Sequence, residues 1–157
     1  MDWKEGDIDG CEFKPLSFHK DGRGWLAEIF RTDEMNPADH PVMAYVSETN
    51  PGQARGPHEH TSQTDLFAFF SGVIRLFMWD ARSDSTTYGV RTIRLVGAEN
   101  PCIVIVPPGV VHAYRNDGPS PAIIFNCPNR LFAGPGKREP VDEIRHEDSE
   151  QSPFKLE

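Results

Sequence analysis

Several things are scarce in this chain, and each scarcity closes a route. Positive charge is short: 16 lysines and arginines stand against 24 aspartates and glutamates, a formal net charge of −8. Such a field repels a phosphate backbone, so nucleic acid is excluded as a partner. One phosphate-bearing small molecule held by local arginines is not excluded. No apolar run is long enough to span a bilayer, so a membrane is not expected as a partner. The first residues, Met1 to Asp7, lack the basic start and apolar centre of a secretory signal. Cysteine is limited to Cys11, Cys102 and Cys127, an odd number without CxxC spacing. That usage suits a reducing compartment, and the expected location is cytoplasmic. Cys102 and Cys127 sit in apolar runs and read as inert core thiols. A convincing helical stripe is also missing.

Turns and short strands are abundant instead. Thirteen glycines and 14 prolines in 157 residues are many, and chains of short strands need many turns. Residues 1–20 read as an extended lead-in, Asp21–Gly24 as a turn, and Trp25–Phe30 as a strand. Pro41–Thr49 places Val42, Ala44 and Val46 on one parity, the pattern of a half-buried strand. Leu66–Phe70, Val73–Trp79, Tyr88–Val96, Cys102–Val106, Val110–Arg115 and Ala122–Asn126 follow as strands with turn signals between them. The expected fold is all-β, a single-domain sandwich or closed barrel, with the barrel in residues 1–133. Residues 134–157 are rich in proline, glycine and charge. They read as an exposed tail or as a flap over the barrel mouth, with one helical turn over Asp142–Asp148.

Two segments carry chemistry. In the first, His58-Glu59-His60 is followed by four residues, then Asp65, then six residues, then Gly72. On a strand, positions i and i+2 point to one side, so His58 and His60 converge if that side is the interior. Asp65, after a bend, can bring a carboxylate to the same point. Three nitrogens and an oxygen suit Zn, Fe, Mn, Ni or Cu. In the second segment, Pro107-Pro108-Gly109 turns into a strand bearing His112 and ending in Asn116.

Together these segments resemble the two signature motifs of the cupin superfamily. The resemblance implies a double-stranded β-helix, or jelly-roll barrel, with His58, His60, Asp65 and His112 as metal ligands. A finer resemblance runs over residues 21–114. Asp21-Gly22-Arg23-Gly24-Trp25 through Glu28-Ile29-Phe30, Arg55-Gly56-Pro57-His58, Asp80-Ala81-Arg82-Ser83 with Thr87-Tyr88-Gly89, and Pro107 to Tyr114 are similar, in order, to stretches of the dTDP-4-dehydrorhamnose 3,5-epimerase family. That resemblance implies proton transfer at a carbon next to a ketone, on a keto-sugar or sugar nucleotide, with no cofactor. It implies His58 as the base and His112 beside it on the cavity wall. Arg23 and Arg55 would hold the nucleotide diphosphate and Glu28 would place the nucleotide. A homodimer is implied as well.

The chain departs from the epimerase pattern at two points. Asp65 stands where that family has a lysine, and the strand after the second motif offers no tyrosine. An anion at that place opposes an enolate rather than stabilising it. Tyr114 and Tyr45 are the substitutes for the missing acid, and Asp142 or Asp148 for the carboxylate that pairs with the base. Three readings therefore stand: a sugar epimerase or isomerase with His58 and His60 moving protons; a cupin dependent on a divalent transition metal (Zn, Fe, Mn or Ni), either a dioxygenase or a metal-assisted isomerase; and a sugar- or metal-binding module without catalysis.

Overall fold

Short alternating runs between turn glycines become strands of two facing sheets in the computed structural model, which describes residues 2–157. One sheet runs in the order β1 (Lys4–Glu5), β9 (Val90–Gly97), β8 (Val73–Asp80), β11 (Val110–Asn116), β6 (Ala54–Glu59), β13 (Ile144–Arg145). The other runs β2 (Glu12–Pro15), β10 (Cys102–Val106), β7 (Asp65–Phe69), β12 (Ala122–Asn126), β5 (Tyr45–Thr49). A separate hairpin joins β3 (His19–Asp21) to β4 (Gly24–Leu26). Only short 3-10 turns interrupt this all-β, jelly-roll layout among the described residues, and no helix is long and apolar enough to cross a membrane.

The core lies between the sheets. Phe67, Phe69, Val104, Val106 and Ile124 from one sheet meet Ile74, Leu76, Met78, Val110 and Tyr114 from the other. Both outer faces are covered too, which is why several strands are apolar without interruption. Leu66, Ile103 and Ile105 pack beneath Leu16, Phe18 and Ile29. Phe77, Trp79 and Val111 pack beneath Trp3 and Phe154. The lead-in is thus stitched to both sheets by β1 and β2.

Three local expectations are corrected. The strand read over Trp25–Phe30 stops at Leu26, and the stretch beyond it packs Ile29 as irregular backbone against an outer face. Pro41–Thr49 contributes only Tyr45–Thr49, at a sheet edge, and its parity is inverted: Val42 and Val46 are more than half exposed while Thr49 is buried. Apolar side chains would face inward only if the interior there were apolar, and it is not. Asp142–Asp148 forms no helical turn; Ile144–Arg145 pairs antiparallel with β6 at Glu59 and His58.

Candidate active site

The site forms where β6, β11 and β7 meet the returning C-terminal strand. Between β6 and β11 the register shifts: His58 opposes His112, but Arg55 opposes Tyr114. Gly56 and Pro57 therefore face Ala113 alone, a bulge that re-aims the strand. Gly56 has φ +82°, and a Cβ there would lie 2.5 Å from the carbonyl oxygen of His112, so only glycine fits. The result brings three imidazoles together. Ring centroids are 4.6 Å apart for His58 and His112, 5.7 Å for His58 and His60, and 5.9 Å for His60 and His112. Their donor atoms lie within 4.8 Å of one another.

Asp65, the first residue of β7, is 1% exposed and anchors two of the rings. Its Oδ2 lies 3.0 Å from His60 Nε2 and 3.3 Å from His112 Nε2. Its Oδ1 accepts from the amides of Gln63 at 2.8 Å and Asn126 at 2.9 Å. Carbonyl oxygens only accept, so the other ring nitrogens are donors: His112 Nδ1 to Val110 at 3.0 Å, and His60 Nδ1 to the backbone of Asp142. Burial pushes His60 down, but the Asp65 carboxylate and the Asp142 carbonyl more than offset it and bring it to about 8. Burial works to raise Asp65, yet His112 and His60 hold it well below the usual carboxylate range.

His58 is different. Burial, then the neighbouring His112 and His60, push it down to about 3, so it is neutral near pH 7. Its Nδ1 lies 3.9 Å from Glu143 Oε1 and 3.9 Å from Glu147 Oε1, ion-pair range rather than hydrogen-bond contact. These glutamates, with Arg145 between them, line a cavity of about 360 Å³ together with Tyr45, Ser47, Arg55, His58, His60 and Tyr114. Tyr114 Oη and Ser47 Oγ are 3.1 Å apart, and Tyr45 Oη accepts from Asn126 at 2.8 Å. Burial, then the Asp65 charge, push the Tyr45 phenol up to about 12. A larger groove of about 850 Å³, along Glu5–Asp7 and Thr92–Val96, contains none of the histidines. Convergence of titratable groups, not volume, singles out the site.

His58, His60, Tyr114 and Arg55 line this cavity, and Asp65 and His112 lie buried behind it, against His60 and His58. Arg55 is held at its rim by Thr49 Oγ1 at 3.3 Å and the Glu48 carbonyl at 3.0 Å. Arg23 and Glu28 lie elsewhere within this chain. Arg23 tips the β3–β4 hairpin, where its guanidinium binds Asp21 at 2.6 Å, and Glu28 faces Arg31 on the exterior. The reason is that this hairpin rides outside the barrel, with Trp25 packed edge-to-face against Phe18 and Phe70. Asp142 and Asp148 do not pair with His58; the carboxylates there are Glu143 and Glu147. Sequence reasoning missed both, although Glu143, Arg145 and Glu147 alternate along the chain as one face of a strand. Cys102 is half-buried and Cys127 buried, and burial pushes both thiols up, with Arg94 opposing at Cys102. The Asp80–Gly89 motif is architectural: buried Asp80 accepts from Arg82, Ser85 and Thr87 and pins its own loop.

The family model described as dTDP-4-dehydrorhamnose 3,5-epimerase matches residues 5–139. The spore coat polysaccharide biosynthesis protein SpsL of Bacillus subtilis (strain 168) is 38% identical over 118 residues, 75% of this chain and 78% of that protein. A probable low-salt glycan biosynthesis epimerase of Haloferax volcanii is 32% identical over 127 residues, 80% of this chain and 81% of that protein. Among solved structures, a dTDP sugar isomerase of Desulfovibrio desulfuricans G20 superimposes with a TM-score of 0.77 at 23% identity, covering 94% of this chain and 88% of that one.

Proposed function

We propose that this chain, which belongs to the dTDP-4-dehydrorhamnose 3,5-epimerase family, epimerises a nucleotide-linked 4-keto-6-deoxy sugar by moving a proton at carbon next to the carbonyl. The observation that carries the reading is the split between two neighbouring histidines. His58 is neutral and flanked by two carboxylates, while His60 is held toward its protonated form by Asp65. Groups pushed apart in this way divide the acid and base roles.

In this mechanism His58 takes the proton from carbon. Glu143 and Glu147 steady the imidazolium that results, as a carboxylate does behind a catalytic histidine. The enolate oxygen develops beside His60, whose positive charge stands in for the absent lysine. Asp65 then serves as the anchor of that charge rather than as a naked anion. Tyr114, on the same strand face as His112, returns a proton to the sugar. Arg55 at the rim receives the diphosphate, since a guanidinium fork suits phosphate oxygens. Residues 140–147 belong to the working unit. Arg23 and Glu28 reach a site only across a homodimer; the exposed Trp25 and Leu26 of their hairpin support such an interface. The direct test is deuterium entry from heavy water into a dTDP-4-keto-6-deoxyhexose, abolished by H58A.

One observation supports a second reading. The donor atoms of His58, His60 and His112 lie within 4.8 Å of one another, Asp65 Oδ2 is beside His60 and His112, and the Nδ1 atoms of those two rings are turned onto carbonyls. That donor set fits a divalent transition metal, oriented as outer carbonyls orient metal-bound imidazoles. Bound there, a metal would polarise a sugar carbonyl. Stoichiometric metal in purified protein, lost in H60A, would decide for this reading.

A further inference from the structure

We propose that Asp142 is a positioning residue for the reaction: its carboxylate clamps the Thr61–Gln63 loop and thereby fixes the carbonyl that orients His60. This rests on the roles given above to His58 and His60. The two oxygens of Asp142 take four hydrogen bonds from three consecutive residues. Oδ1 accepts from Thr61 N at 2.8 Å and from the Thr61 hydroxyl. Oδ2 accepts from Ser62 N at 2.9 Å and Gln63 N at 3.0 Å. The backbone carbonyl of the same residue accepts from His60 Nδ1. One residue therefore locks a loop with its side chain and aims a ring with its main chain.

The clamp reaches further through Gln63. That residue ends the clamped loop, and its amide donates to Asp65 Oδ1 at 2.8 Å while lying 3.3 Å from His60 Nε2. Both nitrogens of His60, and the acid it faces, are thus referred back to Asp142. The neighbouring residues lie along the same segment: Glu143 and Glu147 face His58, while His146 N donates to the Pro57 carbonyl at 2.8 Å. Docking through Asp142 therefore acts on His60, while the Glu143–Glu147 stretch is held to β6 by its own strand pairing and by His146 N. An asparagine cannot replace Asp142, because its NH₂ group would confront backbone N–H donors that need an acceptor.

The test uses the full chain in D142A and D142N, the latter keeping the volume if the former folds poorly. Three readouts are taken: turnover and KM for a dTDP-4-keto-6-deoxyhexose in heavy water, the same assay in an H60N background, and the His60 Nδ1–H resonance. Expected is a fall in kcat on the order of 10²-fold with KM moved less than about twofold. In H60N, adding D142A should lower the rate by less than about twofold, because the clamp acts through the ring already removed. The resonance should shift or vanish. Wild-type kcat in D142N, or losses that multiply fully in H60N, would overturn the proposal. If H58A keeps full activity, the assignment of the base is what fails, and the His60 resonance in D142N still decides whether Asp142 positions that ring.

Discussion

His58 and His112 are register partners on adjacent strands, their rings edge-on with centroids 4.6 Å apart. The backbone beneath them approaches closely at Gly56, and that contact gives the first prediction. G56A forces a Cβ to 2.5 Å from the His112 carbonyl at a positive φ. We expect a loss of about 3 kcal/mol of stability, from strain plus displaced strand, with activity falling further than folding. Denaturant titration alongside the exchange assay measures both.

Removing the base should abolish chemistry without unfolding the barrel. H58A is expected to slow carbon–hydrogen exchange by roughly 10²- to 10⁴-fold. E143Q and E147Q should each slow it less than H58A, and the double variant more than either single change. Equal activity of E143Q/E147Q and wild type in deuterium wash-in would remove these glutamates from the mechanism.

Y114F tests the two halves of the reaction separately. The ring packs against Phe67 and Phe69, so phenylalanine preserves the core. Deuterium should still enter the sugar, because His58 is intact, while the yield of inverted product falls by roughly 10²-fold. Product analysis by NMR separates exchange from inversion.

The two perturbed histidines give stability opposite slopes with pH. His60 rises to about 8 on folding, so its contribution is complete below its unfolded value near 6.5 and is lost as pH climbs through 8. That contribution is about 2 kcal/mol. His58 falls to about 3; between 6.5 and 3 the unfolded chain binds a proton that the folded chain does not, so stability drops as pH falls. Stability should therefore peak near pH 6.5. H60A should flatten the alkaline side and H58A the acidic side in melts run across pH.

Chelation separates the two readings of the site. Under the epimerase reading, dialysis against a strong chelator leaves turnover unchanged and thermal stability the same. Loss of activity restored by one divalent metal would transfer the chemistry to a metal held by the His58–His60–His112 cluster.

Much of this site was legible in the sequence. The HxH spacing and the later PxGxxH turn located three imidazoles, because strand parity is a local rule that carries from β6, which ends at Glu59, to the next residue, and along β11. The C-terminal carboxylates were not legible. Residues 142–148 are polar apart from Ile144, and one apolar residue sets no period that distinguishes strand from helical turn, so pairing with β6 decided the outcome. Strand β5 was misread for a related reason: Tyr45 and Ser47 line a polar cavity, so the inward parity carries the polar side chains and Val46 faces water. Patterning by hydropathy presumes an apolar interior, and it reverses where a strand borders a reaction chamber. The places of Arg23 and Glu28 depend on how an external hairpin packs, which no local pattern encodes.

The loop pinned by Asp80 has a bearing on how kin of this chain are recognised. Its Asp–Arg–Ser–Thr cluster keeps a bend in shape and stands apart from the cavity, so a fingerprint drawn from it retrieves scaffolds whether or not they turn over a sugar. A fingerprint joining His60, Asp65 and Asp142 would instead sort the retrieved scaffolds by the apparatus they carry.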